Sequence, residues 1–399
     1  MRLSKVKFKN YRSFKELEWH PQSGIHIIYG PNGSGKSNLL EGISTLSSTR
    51  SPRINRDVEL INWQSLEMDP LPGAFMSADK VNDLQSPTSH ESVEISVTAQ
   101  NPVDQSNSNI DPYKIRTVKQ YRRNGQICRA SQVIGCVRSV LFSARDLRLI
   151  EGTPAERRKY IDTTLSQIDP HYIGALRDFS RVLENRNALL RAVNKGSQTI
   201  GSLDVWDEQF ASTGARIMFS RSQHLATLLS ISASYFIDLN PAEFANESRL
   251  EYSPNTLIDK GSSQTDIYEQ MLSTLRNHRE VDLLRGTTTR GPHRDDLKFE
   301  FNNVDAAVSA SRGQLRSLAL SLRLAEVNMS EKQTGEKPVL LLDDVLSELD
   351  LVHRERVMDL TLQADQAIIA TPDPERPNSA ILADPSNWHL EAGELIEQL

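Results

Sequence analysis

Residues 2–9 alternate with the period of a strand, Val6 and Phe8 on one face and Lys5, Lys7 and Lys9 on the other. Residues 25–29 form a second strand, apolar almost throughout, that runs into a glycine-rich turn; residues 38–43 then read as a helix. From about 62 to 112 the apolar pattern thins into Ser, Asn, Asp, Gln and Pro, and only residues 92–97 alternate convincingly. The rest of that stretch predicts surface loops or a flexible insertion, with Ser-Pro-Thr-Ser-His near 86–90 its most mobile part. Residues 113–123 alternate again through Ile115, Thr117, Lys119 and Tyr121, and Asn124-Gly125 supplies a hairpin turn.

At Thr153 the period becomes helical and stays so to about residue 280. Thr153-Pro154-Ala155-Glu156 is a helix start, with a capping hydroxyl, proline at the first position and an acid in the first turn. Breaks are expected near Asp169-Pro170, Gly196 and Asn240-Pro241. Strand patterns return at 285–290 and 297–301. A helix over 313–328, a buried strand at 339–342, another helix and a strand at 367–370 follow. The predicted fold class is α/β, a mixed-sheet head in two parts, residues 1–150 and 285–399, that return to one sheet. A helical arm at 151–284 is inserted between them.

The 399 residues are 38% hydrophobic, enough for a core. The longest apolar runs, such as residues 339–342, are far too short to cross a bilayer, so no membrane role is expected. Lysines interrupt the first residues where a signal segment would be apolar. Two cysteines, Cys128 and Cys136, offer no disulfide framework or zinc spacing, and a reducing, cytoplasmic setting fits. The net charge of −6 hides an uneven distribution. Residues 1–15 and 112–140 are basic without an acid, whereas residues 57–111 hold ten acids against Lys80 alone. The basic strands are either a nucleic-acid face or ordinary solvated strand edges.

Residues 30–37, Gly30, Pro31, Asn32, Gly33, Ser34, Gly35, Lys36 and Ser37, fit the phosphate-loop pattern G-x-x-x-x-G-K-[ST] between a strand and a helix. Backbone N–H groups turned inward by glycine cradle a polyphosphate, helped by the dipole of the helix that follows. Lys36 is expected on the β- and γ-phosphates, and Ser37 on Mg²⁺. The apolar strand 339–342 ends in Asp343-Asp344. Asp343 is expected to hold Mg²⁺ through its water shell, and Asp344 to orient or deprotonate the attacking water. Ser311, Gly313 and Gln314 open an amphipathic helix carrying Leu315, Leu318, Leu322 and Ala325, and such a helix start suits an anion.

In chain order, the phosphate loop, Ser-Arg-Gly-Gln at 311–314, Leu-Leu-Leu-Asp-Asp at 340–344 and Ser-Glu-Leu-Asp at 347–350 resemble an ABC-class ATPase head. Gly-Lys-Ser-Asn at 35–38, which adds Asn38, and Asn10-Tyr11-Arg12 resemble the subgroup that contains the SMC proteins. Further stretches at 141–147, 157–162, 291–296 and 311–326 are similar to the RecF family of bacterial recombination mediators, and together they span most of the chain.

That resemblance implies a DNA-binding ATPase whose two heads sandwich two ATP molecules, Ser311 and Gly313 acting on the partner's nucleotide. It also implies an ATP-dependent homodimer on double-stranded DNA near single-strand gaps, helping RecO and RecR load recombinase in repair, replication restart and the SOS response. Two departures from the ABC pattern stand out. Asp344 occupies a position where transporters usually carry glutamate, which suggests slow hydrolysis. Thr371 ends a strand where many heads carry a switch histidine, and no clear glutamine loop precedes residue 150. A transporter subunit would carry its signature much closer to the phosphate loop. An SMC-type tether would need sustained heptads that Pro170 and Pro241 interrupt. A nuclease fusion would need an acidic metal cluster after residue 370.

Overall fold

A computed structural model describes residues 1–69, 71–81, 90–100, 115–240, 248–259, 261–301, 303–347, 349–372 and 385–398. The chain begins with β1 (Arg2–Tyr11), β2 (Phe14–Trp19), β3 (Gly24–Tyr29), α1 (Lys36–Ser48) and α2 (Trp63–Met68). Next come β4 (Gly73–Val81), β5 (His90–Ala99), β6 (Thr117–Arg123), β7 (Gln126–Cys128) and β8 (Ser139–Ser143). Helices α3 (Arg148–Glu151), α4 (Pro154–Ile168), α5 (Pro170–Asn194) and α6 (Leu203–Leu239) follow, then β9 (Ser248–Ser253), α7 (Gln264–Asn277) and α8 (Arg279–Arg285). The remainder is β10 (Asp296–Phe301), β11 (Val304–Asp305), α9 (Ala306–Ser309), α10 (Arg312–Thr334), β12 (Val339–Asp343), α11 (Leu351–Gln363), β13 (Gln366–Thr371), β14 (Ser386–Glu391) and β15 (Glu394–Gln398).

Two compact units result, Met1–Ala144 with Ser330–Leu399, and Arg145–Met329. In the first, an antiparallel sheet ordered β2-β1-β4-β5-β6-β7 and a second sheet ordered β15-β14-β3-β13-β12-β8 enclose α1. Strands β14, β3, β13, β12 and β8 run parallel, and their inward residues read as near-continuous Val, Ile and Leu, as doubly covered strands do. Val6 and Phe8 are fully buried as the alternation of β1 predicts. Gly42 of α1 lies against the ring of Phe8 so closely that a Cβ there would stand 2.4 Å from it, which lets α1 pack on the antiparallel sheet.

The second unit is mostly helical. Thr153 and Glu156 form the expected reciprocal capping box, α4 and α5 are separated at Asp169, and α6 ends at Asn240. Within it lies a separate three-stranded sheet, β11-β10-β9.

Four sequence expectations are corrected. Residues 73–81 form the strand β4, between β1 and β5, within a stretch read as loops. Its inward residues Ala74, Met76 and Ala78 are small or flexible, so strand propensity is weak and pairing on both sides decides the conformation. Residues 285–290 are a helix end and turn, Gly286 adopting φ 62°, with no strand. Residues 297–301 pair with β9, a strand inside the supposedly all-helical arm, instead of rejoining the head sheet, and the second unit extends to Met329. The hairpin β14–β15, missed from sequence, adds the edge next to β3. The 86–89 part of the expected mobile segment lies outside the described residues, as do residues 113–114 of the expected strand.

Candidate nucleotide-binding site

The phosphate loop leaves β3 at Gly30, whose φ is 152°, and enters α1 through Gly35, φ 109°. A Cβ on Gly30 would stand 2.2 Å from the Leu390 carbonyl oxygen of β14, and one on Gly35 2.6 Å from Ser13 Oγ. Both glycines are therefore demanded by conformation and by close approach. Pro31, Asn32 and Gly33 form the exposed tip. Gly35 caps α1 without any side-chain hydrogen bond, which leaves the first N–H groups of the helix open to an anion. Ser34 Oγ is buried with no hydrogen-bond partner, a polar atom that an incoming phosphate oxygen would satisfy.

Lys36 is folded back over the loop. Its ammonium donates to the carbonyls of Gly30 at 2.7 Å and Pro31 at 2.9 Å. Burial lowers its pKa, against the opposing pull of Asp344 and Asp343. Ser37 Oγ donates to Asp343 Oδ1 at 2.6 Å, so residues far apart in sequence meet where the parallel strands end. Hydroxyl and carboxylate oxygens side by side suit Mg²⁺, a hard cation that keeps most of its waters, and the pair fits the ion the sequence implies. No group of three or more His, Cys, Asp or Glu that could hold a metal exists among the described residues.

Asp344 is exposed and left-handed, φ 50°, its N–H donating to the Ala370 carbonyl at 2.9 Å. Aspartate tolerates that conformation better than most residues because its short side chain interacts locally. Asn38 Nδ2 donates to Ser13 Oγ at 2.9 Å, so this side chain fastens the β1–β2 turn to the helix. Arg12 of the same turn grips Glu41 of α1 at 2.9 to 3.2 Å. Neither the Arg12–Glu41 pair nor the service of Ser13 and Leu390 as walls of the loop was legible in the sequence, since each depends on a contact between distant segments. Thr371 is buried at the end of β13.

In the second unit, Ser311, Arg312 and Gly313 are exposed at the start of α10. Ser311 N–H donates to Gln314 Oε1 at 2.7 Å and Gln314 N–H to Ser311 Oγ at 3.3 Å, a reciprocal cap of the helix's own end. A Cβ on Gly313 would meet nothing nearer than Ser311 Oγ at 3.9 Å, so the fold itself does not require glycine there. Leu315, Leu318, Leu322 and Ala325 are buried as expected. Within the Ser-Glu-Leu-Asp stretch, Ser347 Oγ donates to the Asp344 carbonyl and Asp350 caps α11, while Glu348 lies outside the described residues. His293 packs against Phe179 and Phe210, with Nε2 3.0 Å from the Thr288 carbonyl oxygen. Burial pushes its pKa down to about 4, a structural setting.

Both basic strands lie inside the antiparallel sheet, β1 between β2 and β4 and β6 between β5 and β7, so the expected edge protection does not apply, and several of their cations pair with acids. Lys5 and Lys7 pair with Glu18 of β2 at 2.8 and 3.1 Å, and hydrogen bonds from Lys5, Lys7 and His20 pull Glu18 down to about 2. Lys119 pairs with Asp57, Arg122 with Glu94, Arg123 with Glu91 and Arg138 with Glu336. Lys114 lies outside the described residues. Among the described residues, no helix is long and apolar enough to cross a membrane.

The family model for the RecF/RecN/SMC N-terminal domain matches residues 2–380. The chain belongs to the RecF family. It is 33% identical over 394 residues to the DNA replication and repair protein RecF of Chloroflexus aurantiacus, covering 97% of each chain. Identity to the RecF of Acetivibrio thermocellus is 31% over 394 residues, 98% of this chain and 99% of the other. A solved structure described as the recombination mediator protein RecF-ATP in the RecFOR pathway superposes with a TM-score of 0.83 at 28% identity, over 100% of this chain and 97% of that one. An SMC head bound to the C-terminal winged helix of ScpA, TM-score 0.50 at 16% identity over 100% of this chain and 98% of that one, agrees in fold alone. The chain is thus an α/β protein of the ABC-type head class with the DNA replication and repair identity of RecF.

Proposed function

We propose that this RecF-family chain is a slow, DNA-stimulated ATPase that binds ATP with Mg²⁺, closes into a homodimer on duplex DNA beside single-strand gaps, and helps RecO and RecR load recombinase. The observation that carries the reading is the Ser37–Asp343 contact at 2.6 Å, beside an uncapped α1 and the unpartnered Ser34 hydroxyl. Mg²⁺, when bound, neutralises phosphate charge. The chain's own groups do the rest.

The N–H groups of residues 33–38 and the Lys36 ammonium hold the polyphosphate. Ser37 and Asp343 hold the cation side, and Asp344 orients the attacking water. Asp344 is one methylene shorter than glutamate and occupies a left-handed position, which favours a switch over rapid turnover. Ser311 and Gly313 act on the nucleotide of the partner copy, which accounts for a glycine where its own fold has room for a side chain. ATP then stabilises the closed dimer because it contacts two copies there and one copy otherwise.

DNA contact is with phosphates and falls steeply with salt. The test is titration of a gapped duplex with the chain at two salt concentrations, with and without a slowly hydrolysed ATP analogue. Tighter, salt-sensitive binding with nucleotide supports the reading, and nucleotide-independent binding overturns it.

A further inference from the structure

The phosphate loop leans on β14. The Leu390 carbonyl oxygen leaves no room for a Cβ on Gly30, so the first turn of the loop depends on where β14 sits along β3. That placement rests on a short parallel register, Ser386 to His389 against His26 to Tyr29, with β15 on the far side of β14. A slip of one residue would turn Trp388 to the opposite face and carry Leu390 away from Gly30. Whatever fixes this register also shapes the loop.

A side-chain hydrogen bond crosses the two strands. Trp388 Nε1 donates to Nδ1 of the fully buried His26 at 3.2 Å, on the diagonal from the register pair of Trp388 and Ile28. His26 Nε2 lies 2.9 Å from the Gln22 carbonyl oxygen. A carbonyl only accepts and an indole N–H only donates, so the two partners demand a neutral ring with its proton on Nε2 and a bare Nδ1. The ring of Trp19, from β2, stands edge-on to both, 5.3 Å from His26 and 5.6 Å from Trp388.

A second proton on His26 would aim an N–H at the indole N–H and abolish the bond. Burial disfavours that proton, whereas Glu397 of β15, cross-strand from Trp388, favours it. On β2, Glu18 and His20 flank Trp19 and pair with each other at 3.2 Å. At the start of β13, Gln366 donates to the same Gln22 carbonyl at 2.7 Å, and Asp365 before it holds the Met1 ammonium at 2.7 Å. His389, one residue past Trp388, packs its ring 5.2 Å from that of Tyr29.

We propose that His26 is a positioning residue of the nucleotide site: its neutral ring pins β14 to β3 through Trp388 and so holds the Leu390 carbonyl against Gly30. Protonation of His26 releases the pin. The loop geometry that binds is then only part of the population, and apparent affinity falls in proportion. The inference rests on reading residues 30–38 as a triphosphate site. Loss of one neutral hydrogen bond corresponds to about fivefold in affinity.

The experiment titrates a fluorescent ATP analogue with Mg²⁺ into the full-length chain at a series of pH values, comparing the unsubstituted protein with Trp388→Phe and His26→Asn. Trp388→Phe keeps an aromatic ring and removes the donor; His26→Asn keeps an acceptor and cannot titrate. The indole N–H resonance of Trp388, in chain carrying isotope-labelled tryptophan, reports when His26 takes up its proton. Protonation of the analogue itself weakens binding equally in all three proteins. Expected at neutral pH is about fivefold weaker binding by Trp388→Phe. That gap should close on acidification, in step with the indole resonance, and His26→Asn should lack this component. Equal affinity of Trp388→Phe and the unsubstituted chain overturns the proposal. A gap of constant size at every pH also overturns it, by assigning the pair to packing, as does an indole resonance that never moves. If Trp388→Phe does not fold, His26→Asn decides by losing or keeping the pH component. Failure of the unsubstituted chain to bind the analogue at all instead sinks the triphosphate reading on which the inference depends.

Discussion

Replacing Lys36 by alanine probes the phosphate loop at its most loaded point. The ammonium is buried, 9% exposed, and in the free protein bonds two loop carbonyls, Gly30 at 2.7 Å and Pro31 at 2.9 Å. An arriving triphosphate exchanges those carbonyls for charged oxygens, and a hydrogen bond to a charged group contributes about 1.5–3 kcal/mol net. The two carbonyl bonds given up already have a charged donor, so the gain is the change from neutral to anionic acceptors, about 1.5 kcal/mol for each bond and about 3 kcal/mol for two. That corresponds to about a hundredfold in affinity. The assay is calorimetric titration of a non-hydrolysable ATP analogue with Mg²⁺, with thermal melting to establish that Lys36→Ala folds. The burial that lowers the lysine pKa adds a second signature. Affinity of the unsubstituted chain should weaken on raising the pH before an ordinary lysine would lose its proton, and Lys36→Ala should lack that component. Affinity within threefold of the original, in a folded variant, would refute the placement of Lys36 on phosphate.

Asp344→Asn should keep nucleotide affinity while slowing phosphate release in a single-turnover assay by tenfold or more, and an unaltered rate removes Asp344 from water activation. His293 is held near a pKa of about 4 by burial, below its unfolded value near 6.5. Its contribution to stability is therefore complete above pH 6.5 and is lost as pH falls toward 4, about 3 kcal/mol in all. Urea unfolding across that range should show the loss, and His293→Gln should flatten it. Arg186, fully buried, donates to Asp207, Asp282 and Thr288 at 2.7 to 2.8 Å. Arg186→Met should cost about 3–5 kcal/mol in urea unfolding, because it strips a shared cation from two buried carboxylates; a loss below 1 kcal/mol would contradict that reading.

The head was legible where local pattern and tertiary demand agree. The alternation of β1, the apolar approach to the phosphate loop, the capping box at Thr153 and the Asn124-Gly125 turn, with φ 52° and 76°, all state their structure within a few residues. Strand β4 did not, because alanine, serine and glycine carry little intrinsic signal and its neighbours supply the order. The separate sheet of β9, β10 and β11 was hidden for a related reason. Residues 297–301 announce strand character but not which sheet they join, and their partner β9 lies in a stretch whose pattern reads as helical. At the site, Ser37 and Asp343 were assigned from pattern, and they meet. Two other features arise from contacts between segments distant in sequence: the wall made by Leu390 and the brace between Arg12 and Glu41. The charge runs left two readings open, and a linear count could not show that Lys5, Lys7, Arg122 and Arg123 meet acids on neighbouring strands.

The most direct test of the account is light scattering of the full chain with Mg²⁺ and a gapped duplex, with and without ATP, alongside Ser311→Arg. The molar mass of the protein component should double on adding ATP, and Ser311→Arg should bind nucleotide normally yet remain single. A chain that stays monomeric while hydrolysing at full rate, or a Ser311→Arg variant that still doubles, would contradict a nucleotide completed by the partner's signature.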